Sequence, residues 1–187
     1  MGARRAIFLD RDGVINENRP DYVKSLAEFI FLPGVSAALR QLAALEMPIV
    51  VVSNQSAIHR GLVAQATVDA ITRAMQEHIE TAGGRIDAVF YCPHRPDEGC
   101  MCRKPQPGLF YQAARQLDIQ LAGSYVIGDA LSDIQAALRI GAQPLLVLTG
   151  RGCEQVKLLD EALRRSVPIF TDLLAAAHWV RLRENGG

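Results

Sequence analysis

An apolar run that ends in two acids constrains this chain more than any other feature. Ala6-Ile7-Phe8-Leu9 leads directly into Asp10-Arg11-Asp12-Gly13. The run is too short for a helix and shows no polar alternation, so it reads as a strand buried on both faces. Strands of that kind belong to parallel sheets covered by helices. The acids then sit at the carboxyl end of the strand, the side on which open parallel sheets bind ligands.

The rest of the chain repeats this order. Residues 48–53, 86–91, 124–127, 144–148 and 168–170 read as strands, rich in β-branched residues. Residues 35–46, 65–82, 108–117, 131–140, 154–165 and 172–184 read as helices, with apolar side chains at helical spacing. Residues 16–24 are too irregular for an element, residues 92–106 form a loop dense in Cys, Pro and Gly, and the tail 185–187 is expected to fray. Alternating strand and helix predicts an α/β fold: a Rossmann-like parallel sheet with helices on both faces. A length of 187 residues suits one domain across 1–187. Polar residues collect after three strands, at Asp10 and Asp12, at Ser53 and Asn54, and at Asp129. Packing alone gives no reason for that coincidence.

Composition narrows the partners. Lys plus Arg and Asp plus Glu number 20 each, so no polybasic tail for nucleic acid or membrane is present. No apolar run reaches the ~18 residues of a membrane helix. Met1-Gly2-Ala3-Arg4-Arg5 is followed by no apolar leader, and Ala6 replaces the Ser or Thr of a myristoylation site. The chain is therefore read as soluble and cytoplasmic, with no nucleic-acid or membrane partner, and as a monomer. In that compartment the cysteines need an explanation other than disulfides.

The strand ends carry the chemistry. Asp10 and Asp12 are either turn acids or a pair made tolerable by a cation, one able to act as nucleophile and the other to move protons. Asp129, in Gly128-Asp129-Ala130-Leu131-Ser132-Asp133, is either the cap of the following helix or a metal ligand facing Asp10. Mg2+ suits such oxygen donors. Ser53 offers a hydroxyl and a backbone N–H to a phosphoryl oxygen. Lys104 is either an ordinary surface lysine or a charge that binds phosphate, with Arg103 beside it for bidentate recognition. Cys92, His94, Cys100 and Cys102 match a Cys3His zinc site, closed and hence structural, within a loop of about 92–102. Cys153 reads as a loop thiol, and His59, His78 and His178 as structural or exposed residues.

Taken together, Asp10-x-Asp12, Ser53, Lys104 and Gly128-Asp129 with Asp133 resemble the four ordered motifs of the haloacid dehalogenase superfamily of phosphatases. Within it, Asp-Arg-Asp-Gly, Asn54-Gln55-Ser56, the cysteine loop running into Arg103-Lys104-Pro105, and Pro107-Gly108 resemble the heptose-bisphosphate phosphatases. Histidinol-phosphate phosphatases share the zinc loop and are the alternative. The segments between motifs are too short for a cap domain, so the resemblance implies a capless fold. It also implies Mg2+-dependent removal of the 7-phosphate of a heptose 1,7-bisphosphate, in the supply of ADP-heptose for lipopolysaccharide core. By that resemblance Asp10 forms an aspartyl-phosphate and Asp12 carries the proton. Asp10, the Asp12 carbonyl and Asp129 hold Mg2+, and Ser53 and Lys104 stabilise the phosphoryl group. Asn18, Arg19, Pro20, Asp21, Asn54, Gln55, Ser56 and Arg103 would contact the small phosphorylated sugar. The chain departs from that pattern in the five residues between His94 and Cys100, in Ala130, where a lysine is frequent, and in Ser53 for threonine. A zinc-stabilised binding protein without catalysis would need a broken acid pair or a missing lysine, and neither break is present.

Overall fold

The computed structural model describes residues 4–186. Part of the reading of the N-terminus (Met1–Ala3) and the last residue of the tail (Gly187) lie outside them. Six parallel strands form one sheet in the order β3-β2-β1-β4-β5-β6. They are β1 (Ile7–Leu9), β2 (Ile49–Asn54), β3 (Ala88–Cys92), β4 (Tyr125–Gly128), β5 (Gln143–Val147) and β6 (Ile169–Phe170). The helices are α1 (Val35–Ala43), α2 (Gln65–Thr81), α3 (Gly108–Leu117), α4 (Leu131–Arg139), α5 (Gly152–Gln155), α6 (Glu161–Ser166) and α7 (Leu173–Asn185). The expected α/β sheet with helices on both faces is the observed architecture.

Strand periodicity divides the core. Successive side chains of a strand point to opposite faces. Ile7 and Leu9 therefore pack with Leu39, Leu42, Ile79 and Val180 on the face covered by α1, α2 and α7. Phe8 joins Phe110, Ala113 and Ala137 on the face covered by α3 and α4. The Phe8 and Phe110 rings meet edge to face at 5.0 Å, the favoured arrangement for aromatic pairs. All three residues of β1 are fully buried, as the apolar run requires.

Strand order reverses on either side of β1. Chain order runs one way through β2 and β3 and the other way through β4 and β5, which opens a crevice beyond the carboxyl ends of β1 and β4. Leu9 pairs with Ile127, and Asp10 N–H continues the ladder to the Ile127 carbonyl at 3.0 Å. Asp10 and Asp129 are thereby delivered side by side. Between β1 and α1 the chain carries only a short 3-10 turn, Leu26–Glu28, consistent with a capless fold.

Two expectations are corrected. Residues 154–165 do not form one helix; α5 gives way to a 3-10 turn, Val156–Leu158, and α6 begins afresh. Leu159 is buried with Ile134 and Leu146, while the Asp160 carboxylate accepts from Leu163 N–H at 2.8 Å. A side chain that caps a new helix competes with the continuing one. Secondly, β3 extends through Cys92, so the first cysteine of the loop is held by the sheet.

Candidate active site

Asp10 lies in a cavity of about 370 Å³ that is also lined by Arg11, Asp12, Ser53 and Lys104. Its Oδ1 accepts from Arg11 N–H at 2.7 Å and sits 2.9 Å from Lys104 Nζ. Lys104 is buried rather than a surface lysine. Its ammonium also meets the Val52 carbonyl at 2.6 Å and Asp133 Oδ1 at 2.7 Å. Three oxygens thus surround three N–H donors. Burial pushes the Asp10 carboxyl up to about 6, with Lys104 pulling against it and Asp133 and Asp12 adding to it. Burial opposes the Lys104 charge, but Asp10 and Asp133 outweigh it and hold its pKa above the ordinary lysine value.

Asp12 rests in a cradle. Arg11 Nε and Nη2 donate to its two oxygens at 3.2 and 3.0 Å. Asn16 Nδ2 and Gln55 Nε2 add bonds of 2.9 and 2.7 Å. Burial acts to raise the Asp12 carboxyl, yet the Arg11 guanidinium and these hydrogen bonds prevail and hold it below the usual carboxylate range. Gln55 Nε2 also donates to Ser53 Oγ at 2.8 Å, which leaves the Ser53 hydroxyl hydrogen for another acceptor.

Asp129 is fully buried. Its Oδ2 accepts from Arg151 N–H at 2.8 Å, and its Oδ1 has no hydrogen-bond partner among the described residues. Burial, with Asp10 and Asp133 nearby, pushes its carboxyl up to about 7. Asp133 rather than Asp129 performs the capping role, accepting from Ala130 N–H at 3.1 Å. Oxygens of Asp10, Asp129 and Asp133 lie within 4.8 Å of one another. An orphaned buried carboxylate oxygen beside a second carboxylate is a donor set for a hard cation.

The cysteine loop converges as expected. Cys92 Sγ lies 3.1 Å from Cys102 Sγ and 3.5 Å from Cys100 Sγ. His94 Nδ1 is 3.3 Å from Cys92 Sγ and 3.2 Å from Cys102 Sγ. These separations far exceed a disulfide of ~2.05 Å. They suit four donors about one tetrahedral ion at ~2.3 Å from sulfur, so the cluster could hold a metal. The loop is tied to the cavity through Arg103 Nη1, which donates to the His94 carbonyl at 3.1 Å. His59 sits outside the reacting group, paired with Glu98 at 2.9 Å.

Of the residues expected to touch substrate, Asn18, Arg19, Pro20, Asn54, Gln55, Ser56 and Arg103 line the cavity and Asp21 does not. The Asp21 carboxylate is turned to Lys24 at 2.6 Å. Asn54 spends its amide on both backbone groups of Lys104, at 3.0 and 3.1 Å, which fixes that lysine. Sequence reasoning missed Arg11, Tyr22 and Arg151, all in the lining. Arg11 had a signal, since an arginine between two acids at a buried strand end must be paired. Arg151 had one too, because Thr149-Gly150-Arg151 follows β5 as the other polar groups follow their strands. Tyr22 had none; its backbone takes φ +66°, a conformation that tertiary context imposes.

A doubly wound sheet with a carboxylate pair at its switch point and a buried lysine behind them defines an enzyme of phosphoryl transfer, in which positioning and charge do most of the catalysis. Comparison with known proteins agrees. Residues 101–176 match the family model described as HAD-hydrolase-like. The D-glycero-β-D-manno-heptose-1,7-bisphosphate 7-phosphatase of Bordetella bronchiseptica is 43% identical over 92% of this chain and 96% of its own. The enzyme of the same name from Pseudomonas putida is 40% identical over 92% of this chain and 97% of its own. The crystal structure of the B. bronchiseptica D,D-heptose 1,7-bisphosphate phosphatase, complexed with magnesium and phosphate, superposes with a TM-score of 0.88 at 42% identity, covering 96% of this chain and 99% of that one. The chain belongs to the haloacid-dehalogenase-like phosphatases, in the family of the heptose-1,7-bisphosphate 7-phosphatases.

Proposed function

We propose that this chain hydrolyses the 7-phosphate of D-glycero-β-D-manno-heptose 1,7-bisphosphate through an aspartyl-phosphate on Asp10, as a single catalytic domain. The observation that carries the reading is the setting of Asp10. Arg11 N–H and Lys104 fix one carboxylate oxygen, and the residue lines the cavity at the sheet's switch point. The other oxygen attacks phosphorus, and the bond from phosphorus to the sugar oxygen breaks. Asp12 gives the leaving alkoxide its proton. In the second step Asp12 takes a proton from water, the water oxygen bonds to phosphorus, and the Asp10 acyl-phosphate bond breaks. The Arg11 cradle holds the Asp12 carboxyl below the usual carboxylate range, which favours the ionised form that takes a proton from water in the second step.

Asp10, Asp129 and the Asp12 backbone carbonyl would hold Mg2+, which neutralises charge on the phosphoryl oxygens when bound. Cys92, His94, Cys100 and Cys102 would hold a structural Zn2+ that orders the loop carrying Arg103 and Lys104. Ser53 donates its free hydroxyl hydrogen to the phosphoryl group. Lys104, enclosed by three oxygens, orients Asp10 and offsets its charge. Asn18, Arg19, Pro20, Ser56 and Arg103 form the sugar side of the cavity. The name shared by the relatives favours the β anomer and the heptose over histidinol phosphate. Steady-state phosphate release with both heptose anomers and with histidinol phosphate tests this. A higher kcat/KM for histidinol phosphate sinks the heptose reading.

A further inference from the structure

Five cationic side chains line the cavity: Arg11, Arg19, Arg103, Lys104 and Arg151. Four are committed. Arg11 is bonded to Asp12 and Gln55, Arg19 to Asp21, and Arg103 to the His94 carbonyl. Lys104 is enclosed by Val52, Asp10 and Asp133 oxygens. The Arg151 guanidinium makes no hydrogen bond among the described residues. Its one charged neighbour is Asp129 Oδ2, 3.8 Å from Nε, and the side chain is half exposed to the cavity.

The root of Arg151 is held firmly. Its backbone N–H is bonded to Asp129 Oδ2 at 2.8 Å, and two residues earlier Thr149 Oγ1 donates to the Gly13 carbonyl at 2.6 Å. These bonds tie the loop after β5 to the loop after β1. Asp129 in turn lies within reach of Asp10. The uncommitted guanidinium therefore starts beside Asp129, whose carboxylate is grouped with that of Asp10.

We propose that Arg151 binds the phosphoryl group being transferred, supplying the side-chain cation whose N–H groups are free to donate to its oxygens. This rests on the phosphatase reading above, and it assigns a role to a residue which that reading leaves idle. Guanidinium matches a tetrahedral oxyanion bidentately, which an enclosed lysine cannot do. The group then recognises any phosphate monoester at this step and is indifferent to the rest of the sugar.

Arg151→Ala and Arg151→Lys test the assignment, with inorganic phosphate as the probe in calorimetry at saturating Mg2+. Loss of a charge-assisted pair predicts about 10- to 100-fold weaker phosphate binding for Arg151→Ala, partly restored in Arg151→Lys. The kcat/KM should fall by a similar factor for p-nitrophenyl phosphate and for the heptose bisphosphate, while Mg2+ affinity holds, because the backbone N–H on Asp129 is untouched. Unchanged phosphate affinity overturns the proposal. So does a loss confined to the bisphosphate, which would place Arg151 on the distal phosphate, or a parallel fall in Mg2+ affinity, which would make it a positioning residue for Asp129. Should wild-type protein ignore heptose bisphosphate, the substrate reading fails while phosphate binding and p-nitrophenyl phosphate still decide Arg151.

Discussion

Replacing Gly13 by alanine probes how closely the two halves of the site are pressed together. Gly13 takes φ +88°, and a Cβ there would stand 2.1 Å from Asp129 Oδ2, 2.7 Å from its Cγ and 3.1 Å from the Gly150 Cα. Asp129 must rotate, which breaks its bond to Arg151 N–H. The left-handed backbone costs an L-residue ~1–2 kcal/mol, and a hydrogen bond to a charged group is worth ~1.5–3 kcal/mol. The expected loss is about 2.5–5 kcal/mol, a large share of the ~5–15 kcal/mol that holds a domain together. With a urea m-value near 2 kcal/mol/M, the unfolding midpoint should fall by roughly 1.3–2.5 M.

Mg2+ supplies the second readout. At 100 times its Kd a ligand stabilises the folded state by ~2.7 kcal/mol, about 1.3 M in urea midpoint at that m-value. Wild-type protein should show this shift and Gly13→Ala should not, since the displaced Asp129 no longer offers Oδ1. Gly61→Ala is the control: it has φ +68° with nothing within 4 Å of the added Cβ. It should lose only the backbone term, ~1–2 kcal/mol, and keep the full Mg2+ response. The reasoning is refuted if Gly13→Ala keeps the Mg2+ shift, or if it is no less stable than Gly61→Ala.

Asp10→Asn should cut turnover by at least ~10⁴-fold, as loss of a nucleophile does, with the far-UV spectrum retained; unchanged turnover removes Asp10 from the nucleophile's place. Metal analysis should find close to one equivalent of zinc per chain, and stripping it should lower Tm by at least ~5 °C; an equally stable zinc-free protein contradicts the structural role. Without Mg2+, Asp10 and Asp129 have carboxyl pKa values raised to about 6 and about 7. The folded chain then holds protons that the unfolded chain releases near pH 4. Their contribution to stability is complete below that pH and is lost as pH rises through 6 and 7. Stabilisation by added Mg2+ should therefore grow from pH 5 to 8, and a pH-independent Mg2+ shift in urea titrations would contradict the assignment of these two ligands.

What could be read in advance followed local rules. Strands β1, β2 and β4 were visible because burial on both faces demands an uninterrupted apolar run, and the helix faces because α1 to α4 repeat their apolar residues at helical spacing. The site was legible wherever a polar group interrupts such a run, as at Asp10, Ser53 and Asp129. Lys104 and the cysteine loop were legible by residue type and spacing, although nothing local showed that three oxygens enclose the lysine. The break at Leu159–Asp160 was not legible, because it depends on a pocket supplied by Ile134 and Leu146 from distant segments. For the same reason the internal hydrogen bonds of Asn54 and Gln55, which also line the cavity, were not legible. Their partners, the Lys104 backbone and Asp12, are 50 and 43 residues away in sequence.

The charges of the site would suit a cation of two units better than one. Arg11 and Asp12 neutralise each other in their shared cradle. Lys104 alone faces the carboxylates of Asp10 and Asp133, and Asp129 stands behind them with only a half-exposed Arg151 at 3.8 Å. If all three acids ionise, one ammonium leaves two buried negative charges unmatched. Burial makes that expensive, so the deficit surfaces as raised pKa values on Asp10 and Asp129, the two groups with oxygens to spare. A divalent cation between those two carboxylates would remove the deficit without any proton. It would leave Asp10 ionised near neutral pH, the state in which its free oxygen can attack phosphorus.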